Sequence, residues 1–145
     1  MTPKLLLRIS ALLMLFHLLL HTMGHSRWQK TTDPIKQAVI SGMTNHAFLF
    51  MGTQRSMGDY FAGYGYAGSV ALLLFACLLW LLSNAIAQSA GLIYKLLVVI
   101  SICLLLWGID EIVFFFPFAA GTTLLATLLT VIAAVQIRQL SVKTL

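Results

Sequence analysis

Apolar residues dominate four stretches of the chain, and short polar segments separate these stretches. They cover about residues 5–24, 63–87, 94–116 and 118–137. A helix needs about 20 mostly apolar residues to cross the hydrocarbon core of a bilayer, and each stretch approaches or reaches that length. Only a helix satisfies all of its backbone hydrogen bonds within a single apolar segment of this kind. The pattern therefore predicts four membrane-spanning α-helices.

The connection between the first two stretches has a different, amphipathic pattern. Asp33-Pro34 is typical of a helix start, because an N-cap acceptor is followed by proline at the first helical position. Apolar side chains then recur at helical spacing, and polar side chains fill the opposite face. The apolar stripe contains Ile35, Val39, Met43, His46 and Phe50. We expect an amphipathic helix over about residues 34–52, lying at the membrane interface. His46 would then point inward or, as we favour, sit at a wet interface.

Composition agrees with a membrane protein. The 145 residues are 60% hydrophobic and 9% charged, whereas soluble domains contain about 25% charged residues. The sequence predicts an all-α fold, an integral membrane four-helix bundle with an extra amphipathic interfacial helix between spans 1 and 2, in one domain covering residues 1–145. The expected surroundings are the lipid bilayer. The formal charge of +5 comes from scattered Lys and Arg residues, so a nucleic-acid partner is not expected.

The distribution of basic residues suggests an orientation. Lys and Arg accumulate in short cytoplasmic loops. With both termini inside, the inner face carries Lys4, Arg8, Lys95, Arg138 and Lys143, and no acidic residue. The outer face carries four basic residues beside all four acidic residues. We therefore expect both termini to be cytoplasmic, and we expect the N-terminal apolar run to be retained as a span, since no A-x-A cleavage site follows it.

Three histidines lie on one stripe of the first span. His17, His21 and His25 are spaced i, i+4, i+8 and share a helical face. Ionisable residues within a span usually face the protein interior or a water-filled cavity and mark functional sites. His17 and His21 could ligate one metal ion, and His25 could help to complete the coordination site. A transition metal or haem is therefore an open alternative.

Alternating spans bring further polar residues to the membrane face that holds the end of the first span. Asp110 and Glu111 interrupt the third span near this face. Adjacent helical residues point about 100° apart, so we expect one carboxylate to face the bundle and the other the interface. A one-sided pocket is predicted, with His21, Asp110 and Glu111 as candidate catalytic residues. The candidate ligand-binding residues are His17, His21, His25, His46, Arg55, Asp59, Tyr60, Tyr64, Trp107, Asp110 and Glu111.

The residues around the start of the second span have structural interpretations as well. Arg55 and Asp59 have the i, i+4 spacing of an ion pair that would fix the helix entry. Tyr60 and Tyr64 suit the aromatic belt at the headgroup level. Small residues predict close helix packing: Gly63, Gly65 and Gly68 here, and Thr123, Thr127 and Thr130 with Ala134 in the last span.

Two segments carry a family resemblance. His21-Thr22-Met23-Gly24-His25 ends the first span, and Met51-Gly52-Thr53-Gln54-Arg55-Ser56 precedes Asp59-Tyr60 and Gly63-Tyr64-Gly65. These segments resemble a pattern in an uncharacterised family of small bacterial four-span inner-membrane proteins. The resemblance implies the four-span architecture and a bacterial inner-membrane location. It also implies that His21, His25, Arg55 and Asp59 are motif positions, but it implies no activity.

Three functions remain open from the sequence. The first, which we favour, is binding of or action on a hydrophobic small molecule: a lipid, a quinone or a polyprenyl compound. The second is a metal- or haem-binding redox protein. The third is an accessory or assembly subunit, which docks a partner membrane subunit or a second copy through its small-residue faces. Whether the chain is an enzyme is left open.

Overall fold

The structure, a computed structural model, describes residues 1–143. Within this range the chain forms, in order, α1 (Pro3–His25), α2 (Pro34–Asn45), β1 (Ala47–Phe50), β2 (Thr53–Ser56), α3 (Met57–Ala85), α4 (Ala90–Phe114) and α5 (Pro117–Lys143). Of the described helices, α1, α3, α4 and α5 are long and apolar enough to cross a membrane. The prediction of four long apolar helices is confirmed, and these helices support a multi-pass membrane protein.

The chain divides into two compact units. The first unit comprises Met1–Leu18 and the chain from Leu72 onward, and the second comprises Leu19–Ala71. Helices α1 and α3 each contribute residues to both units. The prediction of one domain therefore stays a prediction, and the two units are described separately below.

An apolar core fills the first unit. Every long helix contributes to it, and the largest side chains come from α1, α3 and α4, whereas α5 supplies mainly alanine. The buried residues are Leu6, Leu7, Ala11, Met14, Leu72, Ala76, Leu79, Ile93, Leu97, Ile100, Leu104, Ala126, Ala133, Ala134 and Ile137. Many large apolar side chains on the outer surfaces of the helices are exposed. Such continuous apolar surface is typical of protein that contacts lipid.

Small residues let α5 approach its neighbours in the first unit closely. The hydroxyl of Ser10 on α1 lies 3.1 Å from the carbonyl oxygen of Leu6 and 3.2 Å from that of Ala126 on α5. Gly108 on α4 faces Leu124, and a Cβ at Gly108 would lie 2.7 Å from Leu124 Cδ2. The hydroxyls of Thr127 and Thr130 donate to carbonyl oxygens one turn earlier on α5. The threonine face of the last span is thus buried, as its composition predicts.

The second unit differs from the amphipathic helix predicted over residues 34–52. Helix α2 begins at Pro34 as expected, because Asp33 Oδ1 accepts a hydrogen bond from Ile35 N at 2.9 Å. The helix ends at Asn45, however, and the remaining residues form the antiparallel hairpin β1–β2. Its two-residue turn, Met51-Gly52, has φ angles of 47° and 80°. A pair of positive φ angles is the geometry of hairpin turns that match strand twist, and glycine adopts it without strain.

A reciprocal cap starts α3 directly after the hairpin. Ser56 Oγ accepts a hydrogen bond from Asp59 N at 3.1 Å, and Asp59 Oδ2 accepts from Ser56 N at 2.8 Å. The Ser56 hydroxyl also lies 3.0 Å from Asp59 Oδ2. This is the capping-box arrangement, in which the residues at the N-cap and N3 positions satisfy each other's backbone N–H groups. It fixes the position of Asp59 relative to strand β2.

Candidate functional site

His17 lies between a carboxylate and a hydroxyl inside the first unit. Its Nε2 atom is 3.3 Å from Glu111 Oε1 on α4, and its Nδ1 atom is 3.1 Å from Thr123 Oγ1 on α5. All three residues are buried, and Thr123 has no exposed surface. One imidazole therefore connects three helices through polar contacts in an otherwise apolar interior. Thr123 is a member of this cluster that the sequence indicated only as a packing residue.

The chemistry of this cluster follows from its geometry. A base between a carboxylate and a hydroxyl is also found in nucleophilic catalysis, where the base activates the hydroxyl. Thr123 is completely buried, so its hydroxyl is not accessible from the surface in this structure. The arrangement instead gives both ring nitrogens of His17 and the Oε1 atom of Glu111 a polar contact within the apolar core, which offsets part of the cost of their burial. The cluster is thus suited to joining helices.

The two acidic residues of the third span point in different directions. Glu111 is 3% exposed and contacts His17, whereas Asp110 is exposed. This confirms the expectation that one carboxylate faces the bundle and the other does not. The catalytic roles predicted for Asp110 and Glu111 stay predictions.

His21 and His25 bind the backbone of α3 in the second unit. His21 Nε2 donates to the carbonyl oxygen of Gly65 at 2.9 Å, and His25 Nε2 donates to that of Ala62 at 3.0 Å. A carbonyl oxygen only accepts, so Nε2 carries a proton in both side chains. The two rings are parallel, with centroids 5.9 Å apart. Both histidines therefore have a structural contact that the sequence did not predict.

Gly65 makes the His25 contact possible. The imidazole ring of His25 lies directly against Gly65, where any Cβ atom would overlap it. The edge of His25 also meets the ring of Tyr66, with centroids 5.1 Å apart. Glycine at position 65 is therefore a steric requirement for this packing, in agreement with the close approach that the sequence pattern predicts.

An open pocket of about 480 Å³ lies in the second unit. The hairpin supplies one side of it and the first turns of α3 supply the other. It is lined by Phe50, Met51, Thr53, Arg55, Asp59, Tyr60, Gly63, Tyr64 and Ala67. Four of these, Arg55, Asp59, Tyr60 and Tyr64, are candidate ligand-binding residues from the sequence. Phe50, Met51 and Thr53 are not among the candidates, because Phe50 and Met51 fall in the segment that the sequence predicts as an amphipathic helix, and Thr53 directly follows that segment.

The direct ion pair expected between Arg55 and Asp59 on one helix is not formed, although the two charges still attract each other. The carboxylate of Asp59 accepts its hydrogen bonds from Ser56, and Arg55 Nη1 donates to the carbonyl oxygen of Gln54 at 2.9 Å. The expectation assumed that both residues lie on one helix, whereas Arg55 is in β2 and only Asp59 is in α3. Both charged side chains are exposed and line the same pocket.

Two other candidates lie elsewhere. His46 is exposed at the C-terminal end of α2, which agrees with the wet position favoured by the sequence. Trp107 packs in the first unit against Phe75, with ring centroids 6.0 Å apart and planes at 82°. Among the residues that the structure describes, no group of three or more His, Cys, Asp or Glu side chains could hold a metal ion. Metal ligation by His17, His21 and His25 stays a prediction.

Comparison with protein-family models, with curated proteins and with solved structures found no match to this chain. The resemblance to small bacterial four-span proteins therefore stays a prediction, and the functional argument depends on the geometry of the sites.

Proposed function

We propose that this protein binds a hydrophobic molecule with a polar head, a lipid, quinone or polyprenyl compound, in the pocket of the second unit. The observation that carries the proposal is the pocket itself. Its volume of about 480 Å³ falls in the range of about 300–1,000 Å³ for small-molecule sites. A few polar groups among apolar walls are the usual lining of such sites.

The lining residues match an amphiphile. Phe50, Tyr60 and Tyr64 offer aromatic surface, and the rings of Phe50 and Tyr60 meet at 77° with centroids 6.4 Å apart. Arg55 offers several N–H donors for a head-group oxygen, since its one hydrogen bond to Gln54 uses only part of the guanidinium. An apolar chain would extend from the pocket along exposed side chains such as Met51.

A substitution that fills the pocket tests the proposal. A Cβ at Gly63 has no heavy atom within 4 Å, so Gly63→Leu introduces a side chain that begins in open space and occupies part of the pocket. Gly24→Leu is the matched control, because Gly24 also has open space and does not line the pocket. Native mass spectrometry of protein purified in mild detergent measures bound lipid or quinone. Loss of the bound molecule in Gly63→Leu alone supports the proposal, and retention in both variants refutes it.

We further propose a bacterial inner-membrane location with both termini in the cytoplasm. One face of the predicted bundle carries five basic residues and no acidic residue, which supports a cytoplasmic position for that face. These residues are Lys4, Arg8, Lys95, Arg138 and Lys143. Helix α2 would then lie on the outer interface. Its apolar side chains Ile35 and Val39 are exposed, which suits contact with lipid. Terminal reporter fusions that are active only in the cytoplasm test the orientation, and inactivity at both termini would reverse it.

A further inference from the structure

The pocket contains one positive and one negative side chain, Arg55 and Asp59, whose charges attract each other although they form no direct ion pair. Arg55 Nη1 donates to the carbonyl oxygen of its neighbour Gln54. The other guanidinium N–H groups make no hydrogen bond within residues 1–143. Asp59 Oδ2 accepts the hydrogen bonds from Ser56, and Asp59 Oδ1 accepts none within residues 1–143. The site therefore presents a donor group and an acceptor group to the same occupant.

Aromatic rings lie beside these charges. Tyr60, Tyr64 and Phe50 line the pocket together with Asp59. Aromatic faces attract ammonium groups, and a neighbouring carboxylate adds to that attraction. Arginine binds phosphate through several N–H groups in a fixed planar geometry. The lining thus favours a molecule that carries phosphate and ammonium a short distance apart.

We propose that the occupant of the pocket is a zwitterionic phospholipid, with its phosphate at Arg55 and its ammonium group at Asp59 and the aromatic rings. This inference rests on the proposed function and names the ligand class for the same pocket. An anionic phospholipid satisfies Arg55 with its phosphate but brings no cation for Asp59. Its phosphate is then a negative charge near Asp59 that no ammonium group offsets. A quinone lacks a positive group for Asp59.

Three phospholipids with identical acyl chains test the head-group assignment: phosphatidylethanolamine, phosphatidylcholine and phosphatidylglycerol. Each is titrated into delipidated protein in detergent and followed by native mass spectrometry. We expect at least one zwitterionic lipid to bind about tenfold or more tightly than phosphatidylglycerol, as expected for one charge-assisted contact. Comparison of the affinities for phosphatidylethanolamine and phosphatidylcholine shows whether the pocket prefers a primary or a quaternary ammonium group. Equal or tighter binding of phosphatidylglycerol overturns the assignment.

Charge-neutral variants complete the test. Asp59 is at the N3 position of α3, and the amide oxygen of Asn can still accept the hydrogen bond from Ser56 N, so Asp59→Asn removes the charge and keeps this contact. We expect Asp59→Asn to abolish the preference for the zwitterion, and Arg55→Gln to weaken binding of all three lipids. Arg27→Gln is the control, since Arg27 is exposed and does not line the pocket. An unchanged preference in Asp59→Asn refutes the inference.

The two proposals fail in different ways. If Gly63→Leu binds lipid as the wild type does, the pocket is not the binding site and the proposed function is wrong. Should Gly63→Leu remove lipid while Asp59→Asn keeps the wild-type preference, the pocket binds lipid but the ammonium assignment is wrong.

Discussion

The imidazole of His17 and the carboxylate of Glu111 lie 3.3 Å apart, with side chains that are 8% and 4% exposed. The pair joins α1 to α4, and the contact of His17 with Thr123 extends the connection to α5. A polar contact of this kind inside an apolar bundle is strongly directional. It therefore fixes how each of the three helices is rotated about its own axis. Apolar packing alone defines this rotation less specifically.

Removing Glu111 should destabilise the protein. Glu111→Ala leaves the Nε2 atom of His17 without its carboxylate partner in the core, and a buried group left unsatisfied costs about 1–3 kcal/mol. Asp110→Ala is the control, because Asp110 is exposed and exposed substitutions usually change stability by less than about 0.5 kcal/mol. Reversible unfolding in mixed detergent–SDS micelles measures both values. Equal effects of the two substitutions would contradict the role assigned to Glu111.

The Thr123 hydroxyl should contribute through His17. Thr123→Val keeps the branched shape and removes the hydroxyl, with an expected loss of about 1 kcal/mol. Thr122→Val provides the comparison, since Thr122 is partly exposed and its hydroxyl donates to the Phe118 carbonyl within its own helix. A double-mutant cycle with His17→Phe, measured by the same unfolding experiment, should give a coupling of at least about 0.5 kcal/mol. Additive effects would show that the hydroxyl acts independently of His17.

Gly65 and Gly63 should respond oppositely to the same substitution. Gly65→Ala places a methyl group on the His25 ring and should destabilise the protein by about 1–3 kcal/mol or more. Gly63→Ala meets nothing within 4 Å and should be neutral or stabilising. Thermal denaturation in detergent compares the two. Adding His25→Ala to Gly65→Ala should recover much of the loss, and failure to do so would place the clash elsewhere.

The hairpin turn should depend on Gly52. At φ +80° an alanine is strained, so Gly52→Ala should destabilise the hairpin by about 1 kcal/mol or more. Gly42→Ala in α2 is the matched substitution, because it has open space and alanine favours a helix. Hydrogen exchange of the β1 and β2 amides should accelerate only in Gly52→Ala. Unchanged exchange would mean that the turn tolerates alanine.

Much of the architecture could be predicted because its signals are local. The lengths of the apolar stretches predict α1, α3, α4 and α5, and Asp33-Pro34 predicts the start of α2. The separation of Asp110 from Glu111 follows from helical geometry alone. These features need only the identity of nearby residues, so the sequence is sufficient to predict them.

The hairpin was not predicted because two patterns overlap in it. Phe50 continues the apolar spacing of α2, which suggested a helix through that position. The competing signal was Phe48-Leu49-Phe50 followed by Met51-Gly52, an apolar run ending at a residue pair suited to a hairpin turn. The unpredicted hairpin also explains why Arg55 and Asp59 form no direct ion pair, because they share a helix face only if residue 55 is helical.

The partners of the histidines could not be predicted for a different reason. The contact of His17 with Thr123 joins residues 106 positions apart, and His21 contacts a backbone carbonyl 44 positions away. No local pattern encodes such contacts. The threonine spacing on α5 was the available signal for Thr123, but packing explained that spacing equally well.

The buried carboxylate of α4 has a consequence for how the protein is made. A carboxylate at the centre of a lone helix opposes its entry into lipid by about 2.5–3.5 kcal/mol; Glu111 lies in the last turn of α4, where this cost is smaller, but once buried the carboxylate still needs a polar partner. The imidazole that satisfies it arrives earlier, on α1, and the threonine that orients this imidazole arrives later, on α5. In a chain that ends before α5, the contact of His17 with Glu111 can form, but the contact of the same imidazole with Thr123 cannot. Addition of the last helix therefore completes this buried polar cluster.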